Sequence, residues 1–294
     1  MKEIHFNRLL DYRTLDQLSR MDDSDRASLL AEILQQTPSE TSWRATWELF
    51  GSWPSCESRT QHLDVAQQVL TTWPDKLRFM NSSNGLLYDD NRLSVLARMV
   101  RSIEIHGRDE YGSAELQAIA SSEYSTELKY LSINRSEIDS RAWQALVESH
   151  YLSSLRHLHV SKTVLSESDI QRLFQSSGLL RLQCLKLIDV GLQPRRMESM
   201  RQAISFPQLC AFDLSSNGVG DDGVMMLSQL AWLPQIKRLA LRDNYIRAEG
   251  IRALLSHQFC ERMEQIDVAG NRVTDLEKIE LLALAKMKNI RLSV

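Results

Sequence analysis

His157 and His159 lie one residue apart, and Cys184 follows 27 residues after His157. Two imidazoles and a thiolate are zinc-binding groups, and a thiolate beside an imidazole is also the pair used in nucleophilic catalysis. A second constellation, Gly218-Val219-Gly220-Asp221-Asp222-Gly223, fits the G-x-G-x-x-G spacing of a dinucleotide-binding turn. A third is the acidic pair Asp89-Asp90. Which chemistry is real depends on the elements that carry these residues. Zinc needs a fourth ligand, a dinucleotide needs a strand-to-helix turn with an acidic residue about 20 positions on, and a nucleophile needs an oxyanion site beside a pocket.

Those elements are set by an internal repeat. The segments beginning at Leu128, Leu155, Leu182, Leu209, Ile236 and Met263 start 27 residues apart, and the last three read LCAFDLSSNGV, IKRLALRDNYI and MEQIDVAGNRV. With the first apolar residue as slot 1, slots 1, 4, 6, 11, 16, 19 and 25 are apolar at 41 of 42 positions, where a 43% apolar composition gives about 18. Lys278 is the exception. These slots are expected to form the core. Slots 4 and 6 alternate with slots 3, 5 and 7, the pattern of a strand with one buried face. Slots 16 and 19 share a helical face that packs back onto the strand. Slot 9 holds Asn217, Asn244 and Asn271, whose side chains can bond the backbone of adjacent turns; Ser136 and Thr163 do so weakly there and Val190 not at all. An earlier repeat starts near Val100 with Ile103 and Ile105 as its inward pair, and Ile290 opens a truncated last strand.

The pattern L-x-x-L-x-L-x-x-N-x-L resembles the leucine-rich-repeat superfamily, and the 27-residue length with a helix-like second half looks like its ribonuclease-inhibitor-like class. The resemblance covers roughly residues 100 to 294. It implies an α/β fold: a right-handed solenoid with a parallel sheet on the concave face and helices on the convex face. About seven repeats of 27–28 residues and a capping strand are expected over residues 99–294. Residues 1–98 lack the period and read as an all-helical N-terminal cap or domain. There Ser24 precedes RASLLAEILQQ, Ser42 is placed to cap WRATWELF, and SRTQHLDVAQQVLTTW forms a third helix.

The repeat frame then decides among the chemistries. Gly218, Gly220 and Gly223 fall on slots 10, 12 and 15, so they are turn glycines of a repeat and no nucleotide cofactor is expected. His157 and His159 fall on slots 3 and 5 and Cys184 on slot 3 of the next strand, about 5 Å from His157. No fourth ligand accompanies them, and an open sheet supplies no evident oxyanion site. A wet interaction surface accounts for the same residues, and neither a metal nor a catalytic residue is expected. Cys260 lies on a core slot.

Thirty-five basic against 38 acidic residues give a formal charge of −3, with no surplus of cations for a nucleic-acid backbone. No apolar run has the length of a signal sequence or membrane span, and the four cysteines form no C-x-x-C pair; a cytoplasmic chain with reduced thiols is expected. The expected function is non-enzymatic binding of a protein partner on the concave face, as an adaptor, inhibitor or effector. Tyr130, His157, His159, Lys186, Asp213, Arg238, Arg242 and Asp267 are the expected contact residues. The alternative is an enzyme or enzyme activator working through residues 1–98, with the repeats selecting its substrate.

Overall fold

The computed structural model describes Leu18 and residues 20–81, 95–106, 111–202 and 206–294; the pair Asp89-Asp90 lies outside them. Nine strands form one parallel sheet in chain order: β1 (Phe79–Asn81), β2 (Ser102–His106), β3 (Tyr130–Asn134), β4 (His157–Ser161), β5 (Cys184–Ile188), β6 (Ala211–Asp213), β7 (Arg238–Ala240), β8 (Gln265–Asp267) and β9 (Arg291–Ser293). The repeat frame is also the pairing register: Tyr130 lies opposite His157, then Cys184, Ala211, Arg238 and Gln265 in turn. Along β4, Leu158 and Val160 are buried while His157 and His159 are partly open, as period-two alternation requires.

Strands β2 to β8 each return through a helical segment on the other face: α4 (Tyr111–Ser121), α5 (Ser140–Glu148), α6 (Glu167–Phe174), α7 (Pro194–Met197), α8 (Gly220–Leu227), α9 (Ala248–Ser256) and α10 (Asp275–Met287). Local sequence sets where they start. Asp139 accepts from the Arg141 and Ala142 amides to open α5, and Ser166 with Asp169 and Thr274 with Glu277 form reciprocal caps on α6 and α10. Apolar slots then bind neighbouring repeats into one core. Its densest aromatic contact joins Phe174, Phe206, Phe212 and Trp232, with Trp232 5.3 Å from Phe212 and 5.7 Å from Phe174. Met287 departs from the expected core, being 85% exposed, because no later repeat stacks on the slot it occupies.

Between strand and helix the six in-register repeats share one backbone conformation. Slot 8 is left-handed in all six repeats, at Arg135, Lys162, Asp189, Ser216, Asp243 and Gly270, with φ between 52° and 74°. The asparagine that follows faces the previous repeat. Asn217 Oδ1 accepts from the amides of Val190 and Leu192, Asn244 Oδ1 from those of Asn217 and Val219, and Asn271 Oδ1 from those of Asn244 and Ile246. Their Nδ2 groups donate to strand-end carbonyls, Asn217 to Leu187 and Asn244 to Leu214 among others. Ser136 and Thr163 bond only within their own turns, to the carbonyls of Asn134 and Ser161. Val190, which has no side-chain acceptor, is spanned from the backbone: the Leu165 amide donates to the Val190 carbonyl at 3.2 Å.

The N-terminal region is helical, with α1 (Asp23–Leu34), α2 (Glu40–Ser52) and α3 (Glu57–Leu70), and it ends in β1. The caps sit slightly upstream of the expected residues. Asp22 caps α1, and Ser39 caps α2 with Ser42 at the third helical position returning the bond. β1 pairs with β2, so the sheet begins inside a segment whose sequence reads as helix. Trp43 Nε1 donates to the Phe79 carbonyl at 2.8 Å, tying α2 to that first strand.

Candidate functional site

The helices cover one face of the sheet, and slots 3, 5 and 7 form the other. Parallel strands about 4.8 Å apart carry Tyr130, His157 and Arg238 in one row, so the row spans about 19 Å from Tyr130 to Arg238. Ser132, His159, Lys186, Asp213, Ala240 and Asp267 form the parallel row beside it. Seven of the eight expected contact residues therefore stand on one continuous face, and Arg242, in the turn after β7, reaches it through its ion pair with Asp267.

Their environments differ. The rings of Tyr130 and His157 stack at 5.0 Å between centroids. His157 is held below the ordinary imidazole value, first by burial and then by the charges of Arg156, Lys186 and Arg238. Burial also lowers His159, with Lys186 adding to the effect and Asp213 opposing it. Among the described residues His159 Nε2 is buried with no hydrogen-bond partner. Asp213 and Asp267 both serve the end of their strand: Asp213 Oδ1 accepts from the Ser215 amide and hydroxyl, and Asp267 Oδ1 from the Ala269 amide. Asp267 also pairs with Arg242 at 3.1 Å. Arg238 is exposed. Ser132, Ser161 and Ser215 are buried between larger neighbours, so the face is narrower than a list of its slots implies.

The other constellations take the places their slots assign. Burial pushes the Cys184 thiol up, against the influence of Lys186, away from a thiolate nucleophile. No group of three or more His, Cys, Asp or Glu side chains able to hold a metal occurs among the described residues. Cys260 is buried and its thiol is pushed up to about 12. Gly218 and Gly220 have φ of 70° and 57°, and a Cβ on Gly223 would meet Val219 Cγ1 at 2.5 Å. These glycines shape a turn. Asp221 beside them is engaged with Arg247, accepting from its amide at 2.9 Å and from its Nε at 2.7 Å.

One feature escaped a reading built on apolar slots. The residues just before the strands form a backbone ladder of their own: the Arg101 amide donates to the Arg78 carbonyl, Lys129 to Arg101, Arg156 to Lys129, Gln183 to Arg156 and Cys210 to Gln183. The first four side chains on this ladder are cations. Their signal lies in slot 2, where Lys129 and Arg156 repeat at the 27-residue period.

The family model described as Leucine Rich repeat matches residues 210–228. Six repeats in one register, nine parallel strands in chain order and an asparagine ladder between turns give the chain the architecture of an α/β leucine-rich-repeat solenoid, and the family model matches within one of its repeats. No curated protein matches it in sequence. Solved structures similar to it include a protein from Bacteroides fragilis, at 16% identity and TM-score 0.47, covering 73% of this chain and 69% of that one. The yeast Rad7 and Elc1 complex gives 14% identity and TM-score 0.46, covering 95% and 77%. An internalin from Listeria monocytogenes gives 13% and 0.40, covering 95% and 96%.

Proposed function

We propose that this chain is a non-enzymatic protein-binding module, working in the cytoplasm as an adaptor, inhibitor or effector, and that its partner docks on the concave sheet face. The observation that carries the reading is the pair of adjoining rows on the open face, Tyr130, His157 and Arg238 in one and His159 and Lys186 in the other, where aromatic area, free cations and the unpartnered His159 Nε2 lie together. Aromatic and arginine side chains with directed hydrogen-bonding groups are the usual anchors of protein interfaces. No helix among the described residues is long and apolar enough to cross a membrane. The N-terminal helices act in this reading as the cap of the solenoid, held through Trp43 and Phe79.

The test is partner capture by the native protein and by the Arg238→Glu, Arg242→Glu double variant. Both side chains are exposed, so reversal opens no cavity, and it breaks only the surface pair with Asp267. Capture should be lost while circular dichroism stays unchanged. Retained capture by a folded double variant would contradict docking on this face.

A further inference from the structure

At the start of the sheet the cation ladder borders a pocket of about 400 Å³. Lys76, Arg101, Lys129 and Arg156 line it together with the stacked rings of Tyr130 and His157, and Asp75 is the one carboxylate in its wall. Like charges on neighbouring strands repel, so an unbroken run of Arg78, Arg101, Lys129 and Arg156 about 4.8 Å apart is destabilising unless it is neutralised. Neutralisation within the chain is incomplete. Asp75 pairs with Lys129 at 2.9 Å and lies 3.9 Å from Arg101, and Glu127 reaches Arg101 at 3.3 Å. Lys76 and Arg156 are exposed and have no ion-pair partner among the described residues. Arg78 is 1% exposed, donates to the carbonyls of Met99 and Leu70, and keeps Nη2 without a partner. The cations that act on His157, Arg156 beside it and Lys186 and Arg238 on later strands, extend the same positive field onto the open face.

We propose that this pocket is an oxyanion-binding subsite, which takes a phosphoryl group or paired carboxylates carried on a partner polypeptide. The proposal rests on the reading of the adjoining face as a protein-binding surface and names the chemistry of the partner's anchor. Arg156 and Lys76 supply free donors, Arg101 and Lys129 are held in place by Asp75 and Glu127, and the Tyr130–His157 stack offers a flat wall for an aromatic ring attached to the anion. A polyanion such as a nucleic-acid strand fits less well. The run of cations is interrupted at Gln183 and Cys210, and the next cation on the ladder, Lys237, is paired with Glu264 at 2.9 Å, which leaves room for one anionic group or a close pair rather than a backbone track.

The experiment titrates the full chain with three six-residue peptides: one containing a single phosphotyrosine, one of glutamates only, and an uncharged one with unmodified tyrosine. Binding is followed by calorimetry, and the His157 ring by NMR as a function of pH. Either anionic peptide should bind in a salt-sensitive way, raise the pKa of His157 by offsetting the cations around it, and lose affinity about tenfold or more in the Lys76→Glu, Arg156→Glu variant. The Lys76→Ala, Arg156→Ala variant supplies the same comparison should charge reversal disturb folding. Preference for the phosphopeptide assigns a phosphoryl group, and preference for the glutamate peptide assigns carboxylates. No binding of either anionic peptide, equal binding of the uncharged one, affinity unchanged in both double variants, or an unmoved His157 titration would each overturn the proposal. The peptides replace the partner, so failure here leaves docking on the open face standing, and loss of that docking reading leaves peptide binding intact.

Discussion

The Asn244 side chain engages four backbone groups, accepting from the amides of Asn217 and Val219 and donating to the carbonyls of Leu214 and Arg242, while its own amide donates to Asn271 Oδ1. It is fully buried. Asn244→Ala strands two buried amides and should destabilise the chain by about 2–5 kcal/mol, whereas Ser136→Ala, which breaks one bond inside its own turn, should lose about 1 kcal/mol or less. Chemical denaturation of the two variants checks this, and equal midpoints would refute the ladder. His157 and His159 make a second prediction. Their folded-state values lie below the ordinary 6.5, so above that value both states are neutral and the contribution is constant. As pH falls through about 6.5 the unfolded chain takes up protons first, and stability declines until the folded-state values are passed. Melting temperature should therefore drop between about pH 7.5 and about pH 5.5, and the drop should shrink in the His157→Gln, His159→Gln variant. An equal drop in that variant would remove the histidines from the explanation. Ser215, although on an outward slot, is no neutral position: its hydroxyl bonds Asp213, and an aspartate there would set two carboxylates together.

The strand-to-helix turn shows what the sequence discloses about an element and what it hides. Apolar slots at a 27-residue period locate β2 to β9 and their register, because burial on one face constrains residue type at every repeat. Slot 8 hides its conformation: five of its six residues are not glycine, yet all are left-handed. Lys162 is exposed there with φ of 52°, so Lys162→Val should cost about 1–2 kcal/mol and Lys162→Gly should leave the melting temperature unchanged or raised. Equal melting temperatures would mean the turn is not strained. β1 was hidden for another reason. It has three residues and begins 23 before β2, off the period, so it borrows its place from pairing with β2 and from the Trp43 bond. The cation ladder was missed because it lies in slot 2, which carries no apolar signal. The open face itself was legible, since alternation alone sends slots 3 and 5 away from the core, but the Tyr130–His157 stack and the buried serines follow from packing between neighbouring strands.

At the scale of the whole molecule one core runs from the N-terminal helices to the last strand. Removal of residues 1–98 takes away β1 and uncovers the edge of β2, where Ile103 and Ile105 are buried. The remaining residues 99–294 should bind a hydrophobic dye and melt at lower temperature than the full chain; an unchanged melt would mean the repeats stand without their cap. Loss of function on such a deletion would therefore report lost stability before it reported a catalytic role for the helices. The central claim, that a protein docks on the sheet, is met most directly by placing a photo-crosslinking side chain at two exposed sites, Arg238 on the sheet face and Glu249 on α9, and irradiating the protein with its native host extract. The sheet position should yield a discrete adduct and the helix position none. Adducts from Glu249 alone, with Arg238 silent, would contradict the claim and move the binding surface to the helices.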